Sequence, residues 1–253
     1  MENKIELLTL NLRNPSYERV IKQIDWIEKR TEDIFILTET KNSKGCNYLE
    51  EYFKDRKGIQ KYYTCFPKNQ NGNLGVMLIS KWSINSVDLC FDAESEFYGR
   101  IINAEIQHIK NKINIMGIYV PSRDKTEEKI RRKRFFIETL LDYVKTKPID
   151  IVCGDFNILD RFHEPQYKTF FGWEYDFYDQ LQELKYLDAY KHFNPLYNEH
   201  TWVGRTNNGY KYDYFFVSDK LKEYLDSCKY VHETRNTKLT DHSAVKLNIT
   251  FKE

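Results

Sequence analysis

Apolar residues in this chain gather into runs of strand length, and most of these runs end on a polar residue. Ile5-Glu6-Leu7-Leu8-Thr9-Leu10 runs into Asn11, and Ile34-Phe35-Ile36-Leu37-Thr38 runs into Glu39. Ile113-Asn114-Ile115-Met116-Gly117-Ile118 runs into Tyr119, and Ile149-Asp150-Ile151-Val152-Cys153-Gly154 is followed at once by Asp155 and Asn157. Near the C-terminus Asp241-His242 opens a segment in which Val245, Leu247, Ile249 and Phe251 alternate with polar residues, as in a half-buried strand.

Between these runs the spacing changes. Val20, Ile21, Ile24 and Ile27 predict a helix from about Ser16, so the chain opens β-α-β. A short helix is expected over 48–57, then strands over 62–66 and 74–80 flanking the turn residues Asn71-Gly72-Asn73. Strands near 86–91 and 100–107 lead through Lys110-Asn111-Lys112 into the strand ending at Tyr119. A long helix over 126–145 should bury Ile130, Ile137, Leu140, Leu141 and Val144 and turn its basic residues outward. Residues 158–185 show no clear period beyond a helix over Tyr178 to Leu184. Trp202-Val203 and Tyr214-Phe215-Phe216-Val217-Ser218 read as a second hairpin across Gly204 to Gly209, headed on its second strand by Asp213, and a short helix follows near 219–225. Mixed strands with helices set before each half predict an α/β fold of two stacked sheets between helical layers.

Composition narrows this picture only a little. At 253 residues, 41% hydrophobic and 15% aromatic, with no linker, repeat or low-complexity tract, residues 1–253 read as one packed domain. The net charge of +1 says nothing of nucleic-acid binding, which depends on where charge sits. The densest cluster, Arg131-Arg132-Lys133-Arg134, is either a solvated helix face or a phosphate-binding patch. Five cysteines without a C-x-x-C pair predict reduced, mostly buried thiols. No run of eighteen apolar residues and no N-terminal apolar segment occur, so a cytoplasmic protein without membrane attachment is expected.

The chemistry lies in the polar residues at the strand ends. A buried strand has no structural use for Asp155 and Asn157, although Gly, Asp and Asn also close strands in Asx turns. Asn11, Glu39, Tyr119, Asp155, Asn157, Asp241 and His242 together form a set suited to a hard metal ion and a phosphate.

Leu10-Asn11, Glu39-Thr40-Lys41, Gly99-Arg100-Ile101, Tyr119-Val120-Pro121, Gly154-Asp155-Phe156-Asn157, Tyr212-Asp213-Tyr214 and Thr240-Asp241-His242-Ser243 resemble, in order and across residues 5–251, the signatures of the endonuclease/exonuclease/phosphatase superfamily. The resemblance implies a four-layer α/β/β/α sandwich of two facing mixed sheets, with the active site at one edge of the sheets. Tyr119-Val120-Pro121 and Glu39-Thr40-Lys41 are similar to the exonuclease III-like apurinic/apyrimidinic endonucleases and the endonucleases of non-LTR retrotransposons. Other branches of the superfamily place a histidine where this chain has Tyr119.

Two departures stand out. Leu12-Arg13-Asn14-Pro15 follows Asn11 where the abasic-site enzymes carry a Gly-Leu-Arg segment, and Arg13 replaces a residue that is often acidic and helps hold the metal. The tryptophan that many of these enzymes use in the pocket for an abasic sugar reads Tyr210.

Phosphodiester hydrolysis by these residues assigns Glu39, with Asp241, to Mg²⁺ or Mn²⁺. Asp155 orients and deprotonates the attacking water, while Asn157 and Asn11 fix that water and the phosphate. His242, held by Asp213, donates to a phosphoryl oxygen, and Tyr119 is a second phosphate donor. Arg100 either supports the site or touches nucleic acid.

The expected function is a metal-dependent DNA endonuclease or exonuclease with little abasic-site preference. It is expected to act as a monomer on nucleic acid, with double-stranded DNA as the leading substrate. A dedicated abasic-site repair enzyme and a hydrolase of RNA or a small phosphoester are the alternatives. A binding protein without activity has no need of a general base.

Overall fold

The strand-forming runs are apolar on both faces because both faces are covered. In β1 (Lys4–Asn11), Ile5 and Leu7 face one core while Leu8 and Leu10 face another, and in β2 (Ile34–Thr40) Ile34 and Ile36 part from Phe35 and Leu37 in the same way. These strands belong to a computed structural model that describes residues 3–54, 62–109, 111–196 and 198–252.

With β3 (Tyr63–Cys65), β4 (Gly75–Ser80), β5 (Ser83–Leu89), β6 (Ile101–His108), β7 (Asn111–Tyr119), β8 (Ile151–Asp155), β9 (Tyr186–Asp188), β10 (Trp202–Val203), β11 (Gly209–Tyr210), β12 (Asp213–Ser218), β13 (Leu225–Val231) and β14 (Ala244–Thr250), the strands make two six-stranded mixed sheets and a two-stranded ribbon. The sheet orders are β13-β14-β1-β2-β4-β3 and β5-β6-β7-β8-β12-β9, and the ribbon is β10-β11.

The core between the sheets holds Ile36, Val76, Ile115, Ile151, Phe215 and Val245. Helices α1 (Tyr17–Glu28) and α2 (Lys44–Lys54) cover the outer face of the first sheet through Val20, Ile24, Leu49 and Phe53. Helices α3 (Glu127–Thr146) and α4 (Gly172–Glu183) cover the second through Phe136, Leu140, Phe177 and Leu181. The four layers are those expected. Two shorter helices, α5 (Ala189–Phe193) and α6 (Glu233–Asn236), and a 3₁₀ turn over Asp219–Tyr224 lie in the connections. All five cysteines are free, and among the described residues no helix is long and apolar enough to cross a membrane.

Several elements differ from the sequence reading. In α1 the position of Ile21 faces solvent, since Val20, Ile24 and Ile27 already fill the stripe against the sheet. The second helix begins at Lys44 rather than 48, and 55–57 of its expected span, like Lys110, lie outside the described residues. In α3 Ile130 is only half-buried, whereas Lys133 is buried instead of facing out. Helix α4 starts six residues before Tyr178.

The expected second hairpin is also re-paired. Trp202–Val203 lies against Gly209–Tyr210, because the Asp213–Ser218 strand, with Tyr214 to Val217 buried, is taken into the main sheet between β8 and β9.

Candidate active site

Register brings three residues distant in sequence into one row at the edge of the second sheet. Parallel pairing of β7 with β8 sets Tyr119 beside Asp155, and antiparallel pairing of β8 with β12 sets Asp155 beside Asp213. Gly154 makes this approach possible: its φ is +132°, and a Cβ there would meet the Ile118 carbonyl oxygen at 2.0 Å.

In the first sheet Asn11 pairs with Thr38 at the end of β1. The next residue, Glu39, is a bulge, since Thr38 and Thr40 oppose the adjacent Val76 and Gly75 and leave Glu39 with no partner in β4. Glu39 has φ +54°, Asn157 +47° and Arg13 +58°. Left-handed backbone at non-glycine residues costs on the order of 1 kcal/mol or more each, and it gathers where a side chain must be aimed rather than merely packed.

Asn11 joins the two sheets at this edge. Its Nδ2 donates to Asp155 Oδ2 at 2.8 Å and to Glu39 Oε1 at 3.1 Å, and its Oδ1 accepts from the Arg13 amide at 2.7 Å. Asp155 Oδ1 accepts from the Asn157 amide at 3.0 Å. Burial first, then the neighbouring Asp213 carboxylate, push the Asp155 carboxyl up to about 8, with Glu39 adding to this and His242 and Asn11 opposing it.

His242 Nδ1 lies 2.8 Å from Asp213 Oδ2. Burial alone would lower the imidazole, but the charge of Asp213 and its hydrogen bond, together with Asp155 and Asp241, raise it to about 9. The Asp213 carboxylate thus favours the imidazolium form, in which Nδ1 donates to Asp213 and Nε2–H is left for a ligand.

Tyr119, expected as a phosphate donor, lies against Glu39. Its hydroxyl donates to Glu39 Oε1 at 3.3 Å, and burial, with Glu39 and Asp155, keeps the phenol neutral. Arg100 lies over the Tyr119 ring at 4.5 Å and donates to the Tyr119 carbonyl at 3.1 Å, while burial lowers its pKa to about 10. Arg100 thus supports Tyr119 from behind. Asp241 Oδ2 accepts from Trp202 Nε1 at 3.2 Å and faces Arg13 Nε at 3.4 Å.

A cavity of about 310 Å³ opens on this cluster, lined by Glu39, Ser122, Asp155, Asn157, Trp202, Tyr212, Asp241 and His242. A second cavity of about 270 Å³ shares Ser122, Asn157 and Tyr212 with it and adds Arg123, Lys133, Phe170, Glu174 and Tyr210 among its walls. Of the eight residues singled out from sequence, Glu39, Asp155, Asn157, Asp241 and His242 line the first cavity, while Asn11, Tyr119 and Asp213 stand behind them.

Among the described residues, Asp155, Asp213 and His242 are the three His, Cys, Asp or Glu side chains whose ligand atoms all lie within 4.8 Å of one another. Trp202, Tyr212 and Lys133 line these cavities and were missed as site residues. Tyr212 stands beside Asp213 in the chain, but nothing near Trp202 or Lys133 in sequence marks either one.

Residues 8–242 match the Endonuclease/Exonuclease/phosphatase family. The chain is 26% identical over 251 residues to a DNA-(apurinic or apyrimidinic site) endonuclease of Dictyostelium discoideum, aligning over 90% of its own length and spanning 65% of that protein. It is 24% identical over 247 residues to an exodeoxyribonuclease of Bacillus subtilis (strain 168), covering 90% of this chain and 92% of the relative.

The fold matches that of an AP endonuclease from Archaeoglobus fulgidus with a TM-score of 0.80 at 21% identity, over 96% of this chain and 98% of the other. It matches a 3′ phosphatase from Neisseria bound to a product DNA hairpin with a TM-score of 0.80 at 17% identity, over 98% and 100% of the two chains. A match running from the first strand to His242, on a two-sheet sandwich with these residues at one edge, places this chain in the endonuclease/exonuclease/phosphatase family.

Proposed function

We propose that the chain is a Mg²⁺- or Mn²⁺-dependent phosphodiesterase that cuts DNA as an endonuclease or exonuclease, with weak or no preference for abasic sites. The observation that supports this best is the pairing of a buried carboxyl with a buried imidazole, Asp155 and His242, with ligand atoms within 4.8 Å of each other in one cavity.

Hydrolysis of a phosphodiester needs a positioned water, a base for its proton and cations for the charge that builds on the phosphoryl oxygens. Asp155 is held on both oxygens, by Asn11 and by the Asn157 amide, so it presents a fixed acceptor to a water in the cavity. Its affinity for a proton, near neutrality, is what a general base requires. His242 has Nδ1 committed to Asp213, so Nε2–H is the donor for a phosphoryl oxygen, and Asp213 keeps the ring charged. Asn157 spends its amide group on the Val120 carbonyl at 3.1 Å. Tyr119 meets Glu39 with the same hydroxyl that would donate to a phosphoryl oxygen.

The cavity is lined by hard oxygen donors without a thiolate, which fits Mg²⁺ or Mn²⁺. Glu39 and Asp241 are the residues that would hold the ion. The alternative group of Asp155, Asp213 and His242 suits it less, because His242 Nδ1 and Asp213 Oδ2 are spent on each other and a ligating histidine must be neutral. Bound at Glu39 and Asp241, such an ion supplies Lewis acidity and neutralises charge at the phosphate.

The choice of DNA is supported by the relatives, an abasic-site endonuclease and an exodeoxyribonuclease, and by the DNA-bound structural neighbour. The aromatic wall of Trp202 and Tyr212, with Tyr210 stacked on Tyr212 at 5.1 Å, suits the faces of sugars and bases. The same wall favours a second reading, a dedicated abasic-site endonuclease.

The test is to incubate the protein with Mg²⁺ or Mn²⁺ and, side by side, plasmid DNA, an abasic duplex, single-stranded RNA and an aryl phosphodiester. Cleavage of both DNA substrates is expected. Cleavage of the RNA or the aryl ester alone would overturn the assignment to DNA.

A further inference from the structure

Lys133 is a lysine in the wrong place for a surface helix. It sits in the basic run of α3, yet it is 1% exposed. Its ammonium donates to Glu174 Oε1 of α4 at 2.7 Å and to the main-chain carbonyl of Asn157 at 2.6 Å. The other oxygen of Glu174 accepts from Arg123 Nε at 3.1 Å and from the Phe171 amide at 2.9 Å, and Arg123 also reaches the Thr169 carbonyl at 2.7 Å. Arg123 and Phe171 thus anchor one oxygen of Glu174, and the lysine takes the other.

A buried ion pair is poor evidence of stabilisation, since removing two charges from water offsets most of what the pair gains. Packing α3 against α4 does not require it, because Phe136 and Leu140 already share one core with Phe177 and Leu181. What the pair does supply is a fixed, charged donor at Asn157, which has left-handed backbone and whose amide holds Asp155 Oδ1.

We propose that Lys133 is a positioning residue: by binding the Asn157 carbonyl it locks the Asp155–Asn157 turn in the conformation that aims the Asp155 carboxylate at the cavity. Glu174 neutralises the lysine from α4 and does not itself touch the turn. The inference rests on Asp155 being the base of the proposed reaction.

The experiment compares Lys133→Met and Glu174→Gln with wild type in Mn²⁺-dependent DNA cleavage, measuring kcat and KM separately alongside thermal stability. A positioning role predicts that Lys133→Met lowers kcat about 10- to 100-fold with KM within about twofold, as expected for a small displacement of a reacting group. Glu174→Gln breaks the same ion pair but leaves the Lys133 donor on Asn157, so its kcat stays within about threefold of wild type even where its melting temperature falls. If Lys133→Met alone does not fold, the double variant Lys133→Met/Glu174→Gln removes both charges and should show the same loss of kcat. Equal loss of kcat in the two single variants, or an unchanged kcat in Lys133→Met, would reduce Lys133 to a helix–helix tie. Asp155→Asn is assayed in parallel: full activity there would point to failure of the catalytic reading rather than of the positioning one.

Discussion

Arg13 Nε lies 3.4 Å from Asp241 Oδ2, the same oxygen that accepts the Trp202 indole N–H. A cation of the chain thus faces a carboxylate assigned to the metal. The Arg13 side chain is half exposed, and an ion pair of that kind is worth about 1 kcal/mol or less, so an incoming ion can displace it. Arg13→Ala should therefore tighten Mn²⁺ binding by up to about 5-fold in a calorimetric titration. Unchanged or weaker binding would show that Asp241 does not hold the ion.

Asp155→Asn and His242→Ala should each reduce turnover by at least ~100-fold, the usual scale for losing a general base or a charge-stabilising donor. Both residues are buried, so near-ultraviolet circular dichroism must confirm that each variant keeps its packing. Wild-type rates in either folded variant would remove it from the mechanism.

Chelation offers a separate check on the donor set. EDTA should abolish cleavage, and Mg²⁺ or Mn²⁺ should restore it where Ca²⁺ alone does not, because Ca²⁺ tolerates loose geometry and does not enforce the octahedral arrangement. Full activity in excess chelator would take Glu39 and Asp241 out of their assigned role.

Asp155, Asn157, Asp241 and His242 were legible in the sequence because each stands at the end of an apolar run where burial alone has no use for it. Glu39 was legible as a residue but not as a bulge, since nothing in Ile34–Thr40 marks two residues opposing one. Tyr119 was legible as a residue but its contact with Glu39, 80 residues away, was not. Lys133 was hidden by its neighbours: three arginines beside it suggest a solvated face, and the acid that allows its burial is 41 residues on. Trp202 was paired with the wrong strand, because an apolar run such as Tyr214–Ser218 attracts a partner on paper that in the fold it finds in β8 and β9. The strand Leu225–Val231 was not read at all, since it lies at a sheet edge with only Cys228 and Tyr230 buried.

His163 ties the loop after Asn157 to the aromatic wall. It is 1% exposed, with Nδ1 donating to the Pro165 carbonyl at 3.0 Å and Nε2 accepting from the Lys211 amide at 3.2 Å, which fixes a neutral ring. Burial, with His200 and Lys211 in the same direction, lowers its pKa from 6.5 to about 4 against the opposing Pro165 bond. Between these values the unfolded chain binds a proton that the folded one does not, so the stability His163 contributes is complete above 6.5 and is lost as pH falls toward 4. The difference in melting temperature between wild type and His163→Gln should hold above pH 6.5 and narrow as pH falls from 6.5 toward 4. A difference independent of pH would mean that the ring is not held neutral.

The shape of the cavity decides specificity. Preference for an abasic strand requires a pocket that accepts an extruded sugar and rejects one bearing a base. Here Trp202 and Tyr212 give one cavity an aromatic wall, and the second cavity borders it across the shared residues Ser122, Asn157 and Tyr212, with Phe170 and Tyr210 in its own lining. A space of about 310 Å³ beside one of about 270 Å³ has room for a base as well as a sugar. Discrimination should accordingly be weak, with general nicking dominant and falling steeply with salt because phosphate contacts supply most of the binding. In a competition between abasic and intact duplexes at matched ionic strength, the abasic strand should be favoured well under a thousandfold. A larger preference would show that the aromatic residues close around the sugar when DNA binds, and the chain would then be a dedicated abasic-site endonuclease. In that case Trp202→Ala should lower cleavage of the abasic duplex far more than nicking of intact plasmid.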